Sequence, residues 1–258
     1  MRLDAYLHKI GKYPSRNKAS EAILKGEVLL DNKIVKPSKN VDDNVNLTFV
    51  DVGEKFVSNG GYKLDKALND FDFQVNDMVF IDIGASNGGF TDCLFQRGAK
   101  KVYAIDVGES QLDKSLLNKN VVVLDNTNAR YLTSNMFSEE IDGVSCDVSF
   151  ISLSYILPAV KKVLKNNGVA FMLFKPQFEC GKEFLTKTGI VNNLKAKINA
   201  CKNIYNQALS LGLTPINFTN APIRQNKNIE YVFMLKNNIE NAISFNEIEC
   251  ILRGKLWK

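Results

Sequence analysis

Val79-Phe80-Ile81-Asp82-Ile83 runs directly into Gly84-Ala85-Ser86-Asn87-Gly88-Gly89-Phe90, and this stretch decides the fold. A short, mostly apolar run of this kind has the length and composition of a buried strand. The glycines that follow let the chain turn sharply, so that backbone N–H groups and the start of a helix can approach a ligand. Downstream, strand-sized runs at 78–84, 101–107, 121–124, 143–150 and 169–174 alternate with helical stretches near 88–97, 110–117, 152–165 and 193–211. Such alternation predicts the α/β class: a doubly wound, Rossmann-like parallel sheet with helices on both faces. Residues 215–218 and 230–235 read as a hairpin at the sheet edge.

A doubly wound sheet binds its ligand at the carboxyl ends of its strands. The loop lacks GxGxxG spacing, and Asp82 precedes it, where a pyrophosphate would be repelled and an ammonium welcomed. Asp106 ends the next strand, 22 residues after Gly84, where a carboxylate can hold ribose hydroxyls. Asp125 and Asn128 follow the third strand and can reach an adenine edge. The expected cofactor is therefore S-adenosylmethionine rather than nicotinamide, on Asp82, Gly84, Ala85, Ser86, Gly88, Gly89, Phe90, Asp106, Val107, Asp125, Asn128 and Asp147. A tight strand-to-helix turn without any ligand is the plainer alternative.

The 258 residues carry a net charge of +5, and its location is informative. Residues 1–40 hold nine Lys/Arg against four Asp/Glu, and the remainder is balanced. Within that basic segment Leu3, Tyr6, Leu7 and Ile10 share a helical face that Gly11 ends, and Ser15 caps a second helix that stops at Gly26. A hairpin is expected over 27–35 with its turn at Asp31-Asn32, then a strand over 45–50. This small α+β layout resembles the RNA-binding domain named after ribosomal protein S-four. The likeness rests on Arg2-Leu3-Asp4, Ser15-Arg16-Asn17-Lys18-Ala19 and Gly26-Glu27-Val28-Leu29-Leu30-Asp31-Asn32-Lys33. It implies RNA phosphate contacts from Arg2, Arg16, Lys18 and Lys33. Residues 51–62, rich in glycine and without a period, read as a linker between a domain over 1–50 and one over 63–258.

Other chemistries are disfavoured. His8 is the sole histidine, so a histidine base or a two-histidine metal site has nothing to build on, and no metal is expected. The five scattered cysteines, without a CxxC pair, suit reduced thiols and a cytoplasmic location. No run approaches the roughly 18 to 20 apolar residues of a membrane helix, and no secretory h-region is visible.

Transfer to a hydroxyl needs alignment and a route for the proton. Lys175, at the mouth of the strand ending Phe171-Met172-Leu173-Phe174, is the leading candidate, since a desolvated lysine gives up its proton more readily. Snorkelling to solvent is the alternative. Asp147 ends the neighbouring strand, whereas Lys63 and Glu230 read equally well as surface charges.

The whole set resembles the TlyA family, haemolysin-named ribosomal RNA 2′-O-methyltransferases within the FtsJ-like group. The blocks that carry the likeness are Gly-Gly-Tyr-Lys-Leu at 60–64, Asp-Ile-Gly-Ala-Ser-Asn-Gly-Gly-Phe-Thr-Asp at 82–92, Ala-Ile-Asp-Val-Gly at 104–108 and Asn-Thr-Asn-Ala-Arg at 126–130. They continue through Cys-Asp-Val-Ser-Phe-Ile-Ser-Leu at 146–153, Phe-Lys-Pro-Gln-Phe-Glu at 174–179 and Asn-Ile-Glu-Tyr at 228–231. The resemblance implies a class I methyltransferase fold and a catalytic tetrad of Lys63, Asp147, Lys175 and Glu230. In that tetrad Lys175 is base or relay, Asp147 fixes it, and Lys63 and Glu230 position the ribose. It implies methylation of a cytidine ribose in ribosomal RNA or a ribosomal subunit, with the target subunit left open. Two departures stand out: Ser58-Asn59-Gly60 where relatives have Ser-Arg-Gly, and Phe56 where relatives can have Trp. Two rivals remain: a membrane-lytic protein, which lacks the amphipathic or apolar segment it needs, and an RNA-binding protein whose methyltransferase fold is inactive.

Overall fold

The computed structural model describes residues 1–50, 55–109, 111–224 and 226–254. They divide into two compact units, Met1–Lys55 and Phe56–Lys258.

The first unit contains α1 (Leu3–Lys9), α2 (Arg16–Lys25), β1 (Val28–Leu30) and β2 (Leu47–Phe49). The side chain of Ser15 accepts from Lys18 N, and Gly26 closes α2 in the left-handed region at φ +78°. Leu3, Leu7, Ala19, Ala22, Ile23, Val28 and Val41 form its core. Ile10, expected on the apolar face of α1, instead follows the helix and is 49% exposed. The expected hairpin also differs. Asp31 and Asn32 do turn the chain with positive φ, yet only a single bridge, Leu30 to Lys33, follows, and β1 pairs antiparallel with β2. Beyond it, the carbonyls of Lys39 and Pro37 accept from Leu3 N (2.8 Å) and Asp4 N (3.1 Å). These are amides that the start of α1 leaves without intrahelical partners. Residues 37–39 thus satisfy a helix end, while Asp31 N donates to Asn46 O at 3.0 Å, next to the strand with which β1 pairs.

The second unit runs α3 (Asn59–Asp70), β3 (Val79–Ile83), α4 (Gly89–Gln96), β4 (Lys101–Ile105), β5 (Val121–Leu124), β6 (Ile141–Cys146), α5 (Leu157–Val163), β7 (Leu164–Phe174), α6 (Pro176–Glu179), α7 (Leu194–Ser210), β8 (Leu213–Asn220), β9 (Tyr231–Asn237) and α8 (Phe245–Leu252). Seven strands form one sheet in the order β5-β4-β3-β6-β7-β9-β8. The first five in that order are parallel; β9 runs antiparallel to both β7 and β8. The pleat sends alternate side chains to opposite faces. Val79, Ile81, Ile83, Ala170, Met172 and Phe174 join the core with residues of α5, α7 and α8. Phe80, Val169, Phe171 and Leu173 join the core with residues of α3 and α4. The sheet is covered on both faces, as the alternating pattern predicted.

Three expectations need correction. The stretch read as a linker over 51–62 becomes helical at Asn59, and its residues 51–54 lie outside the described set. The helix expected near 110–117 is a single 3-10 turn, Lys114–Leu116, among the described residues. The strand expected over 143–150 ends at Cys146.

Candidate active site

Four charged side chains meet at the carboxyl ends of the parallel strands. Lys63 comes from α3, Asp147 follows β6, Lys175 follows β7, and Glu230 precedes β9, which enters from the opposite direction. Asp147 stands between the two lysines: Lys175 Nζ lies 2.5 Å from its Oδ1 and Lys63 Nζ 3.1 Å from its Oδ2. Lys63 Nζ also reaches Glu230 Oε2 at 2.8 Å, and Lys175 Nζ donates to Ser149 Oγ at 2.9 Å. The result is a continuous chain, Glu230–Lys63–Asp147–Lys175–Ser149. Burial alone would lower the Lys63 pKa, but Asp147 and Glu230 together hold it above the ordinary lysine value. Gln177 Nε2 approaches Glu230 Oε1 at 3.5 Å, and Gln177 Oε1 is buried without a hydrogen-bond partner.

The glycine loop lies against this chain. Asp147 N donates to Ile83 O at 3.0 Å, and a Cβ on Gly84, whose φ is +79°, would sit 2.7 Å from Asp147 O. Only glycine permits that approach. Asp106 organises the loop from the side, its Oδ2 accepting from Ser86 N (3.0 Å) and its Oδ1 from Gly108 N (3.1 Å). Val107 beside it is 69% exposed. The loop's own amides are largely engaged: Gly84 N and Ala85 N donate to Ile105 O, and Gly88 N to Ala85 O. What the cradle presents is the small-residue surface, Ser86, the rim of Asp106 and the apolar face of Val107. That donor set fits an adenosyl group with its ribose on a carboxylate.

Other residues expected here point elsewhere. Asp82 is fully buried beneath the loop and cannot meet a ligand ammonium directly. It accepts from Thr91 Oγ1 (2.7 Å) and Ser145 Oγ (2.9 Å), and burial pushes its pKa up to about 6. Ala85, Gly89 and Phe90 are also turned inward: Ala85 packs with Ala104, Leu112 and Leu116, and Phe90, on α4, is 3% exposed in the core between that helix and the sheet. Gly89 lies under Ser58 and the backbone of Gly60 and Gly61, and a Cβ on Gly88 would collide with Leu112 and Leu116. Asn128 Oδ1 accepts from Arg130 N (3.1 Å) and Nε (3.2 Å), so its oxygen serves its own turn. Asp125 is exposed after β5.

Phe150 was not anticipated as a site residue, because an aromatic after an apolar run reads as core. It is 92% exposed and holds φ +64°, a left-handed conformation that a phenylalanine rarely adopts. Its ring lies 5.1 Å from that of Phe178, over which Lys175 Nζ sits at 5.7 Å. Glu179 fixes the same loop by accepting from Ser152 Oγ (2.5 Å) and Leu153 N (2.7 Å), and burial raises its pKa.

In the first unit, Arg2 and Arg16 converge on the buried Asp4, at 2.7 and 3.5 Å. The Arg2 guanidinium holds the Asp4 carboxyl below the usual carboxylate range. Lys18 pairs with Glu21 at 3.1 Å, and Lys33 is exposed at the tight turn. Among the described residues no cluster of three or more His, Cys, Asp or Glu is arranged to hold a metal, and no helix is long and apolar enough to cross a membrane.

Comparison with known proteins agrees with this geometry. Residues 56–238 match the FtsJ-like methyltransferase family and residues 1–47 the S4 domain. Hemolysin A of Brachyspira hyodysenteriae is 41% identical over 90% of this chain and 98% of that protein. The 16S/23S rRNA (cytidine-2′-O)-methyltransferase TlyA of Mycobacterium tuberculosis is 38% identical over 96% of this chain and 94% of its own length. A solved hemolysin-named structure from Streptococcus thermophilus superimposes with a TM-score of 0.75 at 35% identity, covering 98% of this chain and 94% of that one. The chain belongs to the TlyA branch of the FtsJ-like methyltransferases, with an S4 domain at its amino-terminal end.

Proposed function

We propose that this protein transfers a methyl group from S-adenosylmethionine to the ribose 2′-hydroxyl of a cytidine in ribosomal RNA. The observation that carries the site assignment is the closed chain of charges from Glu230 to Ser149, built against the glycine loop through Asp147 and Gly84. Asp106, Val107, Gly84 and Ser86 would hold the cofactor. When bound it supplies an electrophilic methyl carried on a sulfonium.

The chain's own residues divide the remaining work. Lys63, held by two carboxylates, keeps its charge and fixes Asp147 and Glu230 at a constant separation. Lys175 is held by one carboxylate, Asp147, and one hydroxyl, Ser149. It is placed to relay the proton that the 2′-hydroxyl loses as it attacks: one ammonium proton of Lys175 passes to Asp147, 2.5 Å away, as the hydroxyl proton arrives. Glu230 orients the ribose. Phe150 offers an exposed ring on which the base of the target nucleotide can stack once it leaves its helix. Arg2, Arg16, Lys18 and Lys33 supply phosphate contacts from the first unit.

The test is transfer of labelled methyl from S-adenosylmethionine to purified ribosomal subunits. Wild type is expected to label ribose in the RNA of at least one subunit. Lys175→Ala should reduce that transfer by about 10² to 10⁴, the usual scale for a lost proton-transfer group. Transfer that survives the substitution would remove Lys175 from the chemistry.

A further inference from the structure

Beyond the tetrad, a groove of about 380 Å³ opens between the segment that follows α6 and the outer face of α7. One wall carries Glu179 and the ring of Phe184, which is 38% exposed. The other carries Asn193, Lys195, Asn199 and Asn203. Asn199 and Asn203 stand one helical turn apart and are exposed. Asn193 Oδ1 caps α7 by accepting from Ala196 N at 3.0 Å, so the amide NH2 is the part of this side chain that can donate. Glu179 is already committed to Ser152 and Leu153, so it is a fixed wall rather than a ligand for a cation.

We propose that this groove receives the unstacked base of a nucleotide adjoining the one that is methylated. This rests on the tetrad being the transfer site. The chemistry matches: an exposed ring supplies a stacking face, carboxamides can both donate to and accept from a base edge, and Lys195 suits the adjoining phosphate. The location matches as well. Lys175 and Glu179 bracket α6, so the groove begins about 6 Å along the helix axis from the catalytic lysine. A stacked strand advances about 3.4 Å per nucleotide and an unstacked one further, so a splayed neighbour falls at this distance. The tetrad would then select the ribose, and the groove would read the sequence beside it.

The experiment measures methyl transfer to ribosomal RNA by wild type, Phe184→Ala, the double variant Asn199→Ala/Asn203→Ala and, as a control on the same helix outside the groove, Asn206→Ala. Both groove variants are expected to raise KM for RNA about tenfold, the scale of one lost base–aromatic contact, with cofactor Kd unchanged and the control matching wild type. RNAs altered at the nucleotides flanking the target supply a second readout. Wild type should distinguish the four bases at one flanking position, and the double asparagine variant should lose that preference, which a purely structural role would not alter. Unchanged KM in both variants, or a flanking preference kept by the double variant, overturns the proposal while the tetrad stands. No label from wild type, or full label from Lys175→Ala, overturns the tetrad assignment and this proposal with it.

Discussion

A carboxyl group buried under a cofactor loop is an expensive placement, and Asp82 shows where the expense falls. Its pKa is about 6 against an ordinary 3.8, with burial the main cause. The folded state therefore binds this proton more tightly than the unfolded chain does. The contribution of Asp82 to stability is full below about pH 4, falls between pH 4 and 6, and stays low above. A shift of this size corresponds to roughly 3 kcal/mol. Asp82→Asn keeps the shape and can still bond Thr91 and Ser145, so it should melt several degrees higher than wild type at pH 8 and no higher at pH 4. Thermal melts across that range test it; a wild-type advantage at pH 8 would show that the charge is compensated by partners other than those two hydroxyls. Phe150 makes the opposite case, since its left-handed backbone costs about 1 to 3 kcal/mol and its ring buries almost nothing. Phe150→Gly should therefore melt no lower than wild type yet raise KM for RNA about tenfold. A variant with wild-type KM would mean that no base stacks there.

At the scale of elements, one turn of helix does more than its length suggests. The run from Lys175 to Glu179 supplies a tetrad cation, the Gln177 contact to Glu230, the ring under Phe150 and the clamp on the loop after β6. The start of α3 is similarly dense: Phe56 packs against Gly61, Val57 N donates to Asp92 Oδ2 at 3.0 Å, and Ser58 lies over Gly89. A methyl group at Gly61 would overlap the Phe56 ring. Gly61→Ala should lower stability by about 1 to 3 kcal/mol and weaken cofactor binding through the displaced Ser58; denaturant titration and cofactor titration read the two effects separately. The parallel strands were legible because runs such as Val79-Phe80-Ile81-Asp82-Ile83 are apolar on both faces. The start of α3 was not, because Gly60 and Gly61 look like linker when their partners, Phe90, Gly89 and Phe56, are out of view. The tetrad was legible as motif blocks, but Lys63 and Glu230 become more than surface charges only when β9 brings them together. The inward aim of Asp82 was hidden because its partners, Thr91 and Ser145, sit on other elements.

Across the whole molecule, charge is partitioned by task. The net positive charge belongs to residues 1–40, whereas the tetrad holds two cations and two anions. Lys18→Glu with Lys33→Glu should weaken RNA binding and reduce the slope of log affinity against log salt by at least about 1.4, leaving cofactor affinity unchanged. A parallel loss of cofactor affinity would contradict that division. The strand order carries a last consequence. β9 lies between β7 and β8, so β8 leaves the ribosome before the strand it must pair with exists. Until residue 230 and the strand after it emerge, Lys63 lacks one of its two anions and the sheet lacks its join. In chain order, the first unit, the glycine loop and Lys175 all precede Glu230, so the Glu230–Lys63 contact is the last join of the charged chain to become possible.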